Sequence, residues 1–234
     1  MEAWFPNDPE NQQSLQSWLN ERQTMKESKY IHYYVGCDLG KKRDPSTLAV
    51  IEASHFSGKA MYLVSFLKRF NLSMLYTDIS NKLAAMDKQL KAIAAAQGKE
   101  AIITYILDST GIGGPITETV AKQLPYAKIL KVYITGGIST TTAQDDPYEY
   151  HVPKGQLISG LMAAFDSSTI YMSKQSKEIN AILDELANFE IHISEAGRDA
   201  YNAAPSKHDD LVIALALAVW AADQMGDSST PGFW

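Results

Sequence analysis

The sequence predicts an α/β fold: an antiparallel three-strand meander, continued by parallel strands into one mixed sheet, with helices flanking it. Three observations lead there. Tyr30 to Cys37, Ser46 to Ala53 (STLAVIEA) and Ala60 to Phe66 (AMYLVSF) are β-rich runs in immediate succession, joined by turns at Asp44-Pro45 and His55 to Lys59, the pattern of hairpin-linked strands. A long helical stretch then precedes Ala101 to Leu107 (AIITYIL), too uniformly apolar for a half-exposed edge strand. Near the end, Leu211 to Trp220 is apolar all round, which marks a buried helix.

In chain order, residues 1 to 29 differ from the rest. Pro6 and Pro9 precede a Gln/Asn/Ser-rich stretch in which Trp18, Leu19 and Met25 fit a short amphipathic helix over about residues 12 to 26. This reads as a helical appendage or linker to a domain spanning 30–225, with 226–234 as a flexible tail. The first strand ends in Asp38, with Gly36 and Gly40 allowing close approach of backbone or ligand. From Ser73 to Gln97, apolar residues recur at helical spacing (Leu75, Ile79, Leu83, Met86, Leu90, Ile93), Ser73 can cap, and Gly98 can stop the helix. The strand 101–107 ends in Asp108 and opens into Ser-Thr-Gly-Ile-Gly-Gly-Pro115, which leads a helix to Gln123. Lys128 to Thr135 is a strand. Gly136 to His151, polar and then acidic (Asp145, Asp146, Glu149), reads as a mobile surface loop. Helices follow over Pro153–Phe165 and Lys174–Ala187, with extended pieces at Thr169–Met172 and Phe189–Ile193, and a last helix runs over Lys207–Trp220. No internal repeat is present.

Composition narrows the function classes. With 234 residues and 45% hydrophobic content, the chain can bury one substantial core. One cysteine, Cys37, excludes an intrachain disulfide framework and fits a reducing compartment. One Cys and five scattered His make no zinc set. No run of about 18 apolar residues and no signal peptide occur, so a cytoplasmic, non-membrane protein is expected. The Gly-rich turn after Asp108 lacks the Lys-Ser/Thr of a phosphate loop. A net charge of −6 speaks against holding nucleic acid by bulk electrostatics, but not against a nuclease, whose metal-binding acids add negative charge that bound cations reverse locally.

Two apolar strands ending in Asp, and a buried helix led by His208-Asp209-Asp210, suggest a common site. If the strands bearing Asp38 and Asp108 lie side by side and parallel, both acids reach the same sheet edge, about 5 Å apart. The last helix can bring Asp209 or Asp210 to them. Clustered carboxylates raise one another's pKa unless a cation neutralises them, and all-oxygen ligand sets suit Mg²⁺ or Mn²⁺. Two such ions can activate water and stabilise the leaving oxygen of a phosphodiester. Helix capping is the competing account of Asp209 and Asp210.

The segments GCDLGKKRDPSTLAVI, YILDSTGIGG, VPKGQLI and KHDDLVIALALA resemble the ribonuclease-H-like nuclease domain of phage and herpesvirus large terminase subunits, over about Tyr30 to Met225. The resemblance implies a ribonuclease-H-like mixed sheet and a metal-dependent endonuclease using two Mg²⁺ or Mn²⁺ ions on double-stranded DNA in viral DNA packaging. It places Asp38, Asp108 and the Asp209/Asp210 pair on the metal-binding acids, and Asp44 on an accessory acid. Large terminase subunits carry an ATPase domain ahead of the nuclease, and this sequence has no P-loop. Translocation is therefore not implied; an ATPase motor, small terminase or portal protein is an implied partner, and host cytoplasm the implied location.

Supporting roles follow from chemistry. Lys154, in the first turn of its helix, can contact phosphate or be solvated surface. Lys41, Lys42, Arg43 and Lys207 can guide the DNA backbone or form a solvated charge run. His208 can hold an Asp or cap the helix. Tyr133, Tyr148 and Tyr150 can stack on bases or belong to core and loop. Three alternatives stay open: a Holliday-junction-type resolvase on the same fold, a sugar-kinase or actin-like ATPase, and a non-catalytic docking module of a packaging complex that uses residues 1 to 29.

Overall fold

A computed structural model describes residues 3–4, 28–40, 45–56, 59–72, 74–111, 113–173, 178–187, 189–193, 199–203 and 209–226. The strands are β1 (Ala3–Trp4), β2 (Tyr30–Asp38), β3 (Thr47–Phe56), β4 (Lys59–Arg69), β5 (Glu100–Asp108), β6 (Lys128–Thr135), β7 (Thr141–Thr142), β8 (Glu149–Pro153), β9 (Ile170–Ser173), β10 (Phe189–Ile193) and β11 (Asp199–Ala203). The helices are α1 (Tyr76–Ala96), α2 (Gly113–Gln123), α3 (Lys154–Asp166), α4 (Ile179–Ala187) and α5 (Asp210–Gly226). One sheet has the order β1-β9-β4-β3-β2-β5-β6-β8-β7, and β10 pairs with β11 in a separate hairpin.

The expected mixed sheet is present. β2, β3 and β4 form the antiparallel meander, and β5 lies parallel beside β2, with β6 parallel beside β5. Gly98, at φ +70°, ends α1 as expected. The N–H of Gly98 donates to the carbonyl of Ala95 and that of Lys99 to Ala94, so a left-handed glycine satisfies two of the last carbonyls of the helix.

The stretch 136–151 is not simply a surface loop. Its end forms β8, parallel to β6, and Thr141–Thr142 adds β7 antiparallel to β8. Only Val152 and Pro153 of β8 are buried, so its polar sequence conceals a strand held by backbone hydrogen bonds to β6. The expected turn at His55 to Lys59 is shorter than its residues suggested, since β3 runs to Phe56 and β4 starts at Lys59. Ser73, the expected cap of α1, lies outside the described residues; the N-cap is Leu75, without a side-chain cap bond. The helix expected over residues 12 to 26 also lies outside them, as does the expected tail 226–234 apart from Gly226, which ends α5.

Strand alternation divides the interior into two cores. Tyr33, Val35 and Cys37 of β2, with Tyr105 and Leu107 of β5, pack with α1 and α2. Tyr34 of β2 and Ile106 of β5 pack on the opposite face with α3, α4 and α5. Every residue of α5 from Leu211 to Ala222 is buried. A helix can come this close to the sheet because of Gly36: a Cβ there would lie 2.0 Å from the carbonyl oxygen of Ala214 and 2.9 Å from the nitrogen of Ala218. Backbone rests on backbone at that point.

Candidate active site

The acids converge by register. Cys37 pairs with Leu107 across the parallel β2–β5 ladder, so the next residue on each strand, Asp38 and Asp108, ends the pair at one edge, about 4.8 Å apart between strands. Side chains two residues apart on a strand share a face, so Asp38 follows Gly36, and Asp108 follows Ile106, onto the face covered by α5. On α5, Asp210 lies one turn before Ala214, the residue in contact with Gly36. Four helical residues rise about 6 Å and two strand residues about 6.6 Å, so the steps from Ala214 to Asp210 and from Gly36 to Asp38 stay in phase. The helix start therefore lies over Asp38.

The electrostatics agree. Burial pushes the Asp38 carboxyl well above its ordinary 3.8, Asp108, Asp210 and Asp209 push it further, and Lys154 opposes them. Part of the residue still reaches solvent, which a cation or substrate needs. Asp108, Asp209 and Asp210 are thus within electrostatic reach of Asp38, and so is Lys154.

Each acid has its own support. Asp108 Oδ1 accepts the N–H of Thr110 at 2.8 Å, and Thr110 Oγ1 accepts the N–H of Ile134 at 2.8 Å, which ties the turn after β5 to β6. Lys154 Nζ donates to Asp209 Oδ2 at 2.7 Å. Arg69 Nε stands 3.8 Å from Asp210 Oδ2. Thr47, paired with Asp38 in the β2–β3 ladder, donates its hydroxyl to the backbone carbonyl of Asp210 at 2.7 Å. The loop after Asp38 is closed by Gly40, whose N–H donates to Ser46 Oγ at 3.1 Å and whose carbonyl accepts from the Tyr76 hydroxyl at 2.9 Å.

The first turn of α5 is capped from elsewhere. Glu185 of α4 accepts the N–H groups of Leu211 and Val212 on Oε2, at 3.0 and 3.1 Å, and its Oε1 pairs with the Arg69 guanidinium. Capping, the competing account of Asp209 and Asp210, is at these two groups the work of Glu185. Asp209 directs its carboxylate to Lys154 instead.

Thr47, Arg69 and Glu185 were not singled out in the sequence. Glu185 had a signal: at i+3 from Ile182 and i+6 from Ile179 it lies on the buried stripe of α4, where a charged residue needs a partner. Arg69 and Thr47 gave none, because their partners lie far along the chain. Asp44, Lys41, Lys42, Arg43, Lys207 and His208 lie outside the described residues. Tyr133 stacks on His151 with ring centroids 5.2 Å apart, Tyr150 meets Trp220 edge-on in the core at 5.3 Å, and Tyr148 is exposed.

These residues suit a hard divalent cation by donor type: several carboxylates, one of them driven towards its neutral form by burial and then by its neighbours. Among the described residues, no three His, Cys, Asp or Glu side chains already close around one point.

Glu185 also carries a pH dependence. Desolvation outweighs Arg69 and the two N–H groups and pushes its carboxyl from 4.5 up to about 7, with Asp210 adding to the rise. A raised folded value contributes stability below 4.5 that is lost as pH rises to about 7. In denaturant titrations from pH 4 to 8 in EDTA, Glu185→Gln is expected to lose less stability across this window than wild type; identical slopes would contradict the assignment.

No protein-family model matches the chain. In sequence it is similar to the large terminase subunit of Thermus phage G20c, at 26% identity over 186 residues, covering 80% of this chain and 31% of that protein. The chain thus spans about a third of the length of the curated relatives it matches. In structure it is similar to the large terminase nuclease of thermophilic phage G20c with bound magnesium, at a TM-score of 0.53 and 25% identity, covering 81% of each chain. It is also similar to the manganese-soaked human cytomegalovirus terminase nuclease domain, at a TM-score of 0.55 and 14% identity, covering 84% of each; this second likeness concerns the fold alone. The resemblance drawn from the four motifs is borne out, and the fold is the ribonuclease-H-like one of these nuclease domains. Among the described residues, no helix is long and apolar enough to cross a membrane.

Proposed function

We propose that this chain is a divalent-metal-dependent endonuclease that hydrolyses phosphodiester bonds of double-stranded DNA during viral DNA packaging, in the host cytoplasm. The observation that carries the reading is the convergence of Asp38 and Asp108, at the ends of neighbouring parallel strands, with Asp209 and Asp210 at the start of α5. Asp38, Asp108, Asp209 and Asp210 are the residues that would hold Mg²⁺ or Mn²⁺, in our reading two ions, with Asp44 as an accessory acid. When bound, the ions supply charge neutralisation, an activated water and stabilisation of the leaving oxygen.

The chain's own residues do the rest. Asp38 and Asp108, on rigid strands, fix one side of the ligand set, while α5 brings the other. Lys154 orients Asp209 through its 2.7 Å bond and would offer a positive charge to a phosphate oxygen. Lys41, Lys42, Arg43 and Lys207 guide the DNA backbone. Magnesium in a similar large terminase nuclease and the sequence similarity to a large terminase subunit support this reading, which carries with it an ATPase motor, small terminase or portal protein as partner.

Plasmid nicking in Mn²⁺ or Mg²⁺ tests it. Supercoiled DNA is expected to relax with either ion and to remain intact in excess EDTA; cutting that persists in EDTA would overturn the reading. Lys154→Ala is expected to slow nicking by about tenfold or more, the scale of losing one charge at a developing oxyanion, with unchanged circular dichroism. A wild-type rate would return Lys154 to the role of solvated surface.

A further inference from the structure

We propose that Glu185, acting with Arg69, is a positioning residue that sets where Asp209 and Asp210 stand relative to Asp38 and Asp108, an inference that rests on the metal reading above. Glu185 is buried and belongs to α4, an element that contributes none of the acids. Its Oε2 takes both N–H groups at the start of α5, those of Leu211 and Val212. Its Oε1 holds the Arg69 guanidinium, whose Nε stands 3.8 Å from Asp210 Oδ2. Thr47 holds the carbonyl of Asp210 from the other side at 2.7 Å. The first turn of α5 is therefore gripped from α4, from the end of β4 and from the start of β3, while Gly36 fixes its height above the sheet.

The two strand acids are placed by the sheet itself. The two helix acids depend on where α5 begins, and a shift of about 1 Å there is enough to spoil a ligand set whose bonds tolerate a few tenths of an ångström. Glu185 does not need to touch metal or DNA to matter: it acts through the helix it caps.

Mn²⁺ titrations of the EDTA-stripped full chain, followed by EPR of free Mn²⁺, test the proposal with circular dichroism as a check of folding. Glu185→Asp keeps the charge but shortens the reach, and Glu185→Gln keeps the reach but loses the pair with Arg69. Both are expected to bind Mn²⁺ at least tenfold more weakly than wild type. Glu185→Asp with wild-type affinity would overturn the proposal, because charge alone would then suffice. Arg69→Met, at a partly exposed residue, covers the case in which the Glu185 variants do not fold. It too is expected to weaken binding, opposite in sign to the gain from merely deleting a positive charge beside a cation site; unchanged or tighter binding would overturn the proposal. Wild-type protein that takes up no Mn²⁺ removes the metal reading, and this inference with it. Weakened variants beside a wild type that binds but does not cut DNA would uphold the clamp and reject only the endonuclease.

Discussion

Asp38→Asn is expected to lose cleavage and gain stability at once. The carboxyl is pushed well above 3.8 first by burial and then by Asp108, Asp210 and Asp209, with Lys154 opposing. Without a cation, the ionised group is thus a liability in the folded state; as the proposed ligand, it would be stabilised by one. Nicking in Mn²⁺ is expected to fall by about 10³-fold or more, equivalent to about 4 kcal/mol of transition-state stabilisation. In EDTA at neutral pH, the variant should melt at least about 2 °C higher than wild type, the shift that about 1 kcal/mol gives in a domain of this size. The sign with pH follows from linkage. A carboxyl raised in the folded state destabilises progressively as pH climbs from 3.8 through its folded value, so the gain should vanish at lower pH, where Asp38 is protonated in both states. A variant that cuts at the wild-type rate, or is less stable in EDTA at neutral pH, would contradict this account of the residue.

Gly36→Ala is expected to have the largest effect on the fold. Its Cβ would lie 2.0 Å from the carbonyl oxygen of Ala214 and 2.9 Å from the nitrogen of Ala218. Both are backbone atoms of a helix buried from Leu211 to Ala222, so no rotamer change relieves the overlap and α5 must lift. Chemical denaturation should show a loss of more than about 3 kcal/mol, at the upper end of overpacking costs. Gly160 provides the contrast, since it sits within α3 with nothing within 4 Å of an added Cβ; Gly160→Ala should be neutral or stabilising by up to about 1 kcal/mol. A Gly36→Ala protein within about 1 kcal/mol of wild type would mean that α5 does not rest on β2 at this point, and the alignment of Asp210 over Asp38 would lose its basis.

Local signals in the sequence carried far. β-rich apolar runs and tight turns defined the meander, and the unbroken apolar run before Asp108 pointed to a strand too apolar for a half-exposed edge. Asp38, Asp108 and the Asp209/Asp210 pair stood out because each ends or begins a buried element, where a carboxylate has few structural uses. The strand β8 did not stand out: Glu149, Tyr150 and His151 are only partly buried, and what makes this stretch a strand is pairing with β6, a non-local term that its own residues do not encode. The support around the acids was hidden for the same reason. Thr47 and Asp210 are joined across 163 positions, and Arg69 and Glu185 across 116, so their roles exist only once the sheet brings its edge to the start of α5. Gly36 was legible as a place of close approach, but the helix that approaches it was not.

Anomalous diffraction from Mn²⁺-soaked crystals tests the central claim most directly. The predicted result is Mn²⁺ bound between the carboxylates of Asp38 and Asp108, with Asp209 or Asp210 turned from its basic partner to complete the ligands at about 2.1–2.2 Å. Manganese located elsewhere, or Asp38 and Asp108 carboxylates held farther apart than two such bonds can span, would contradict it.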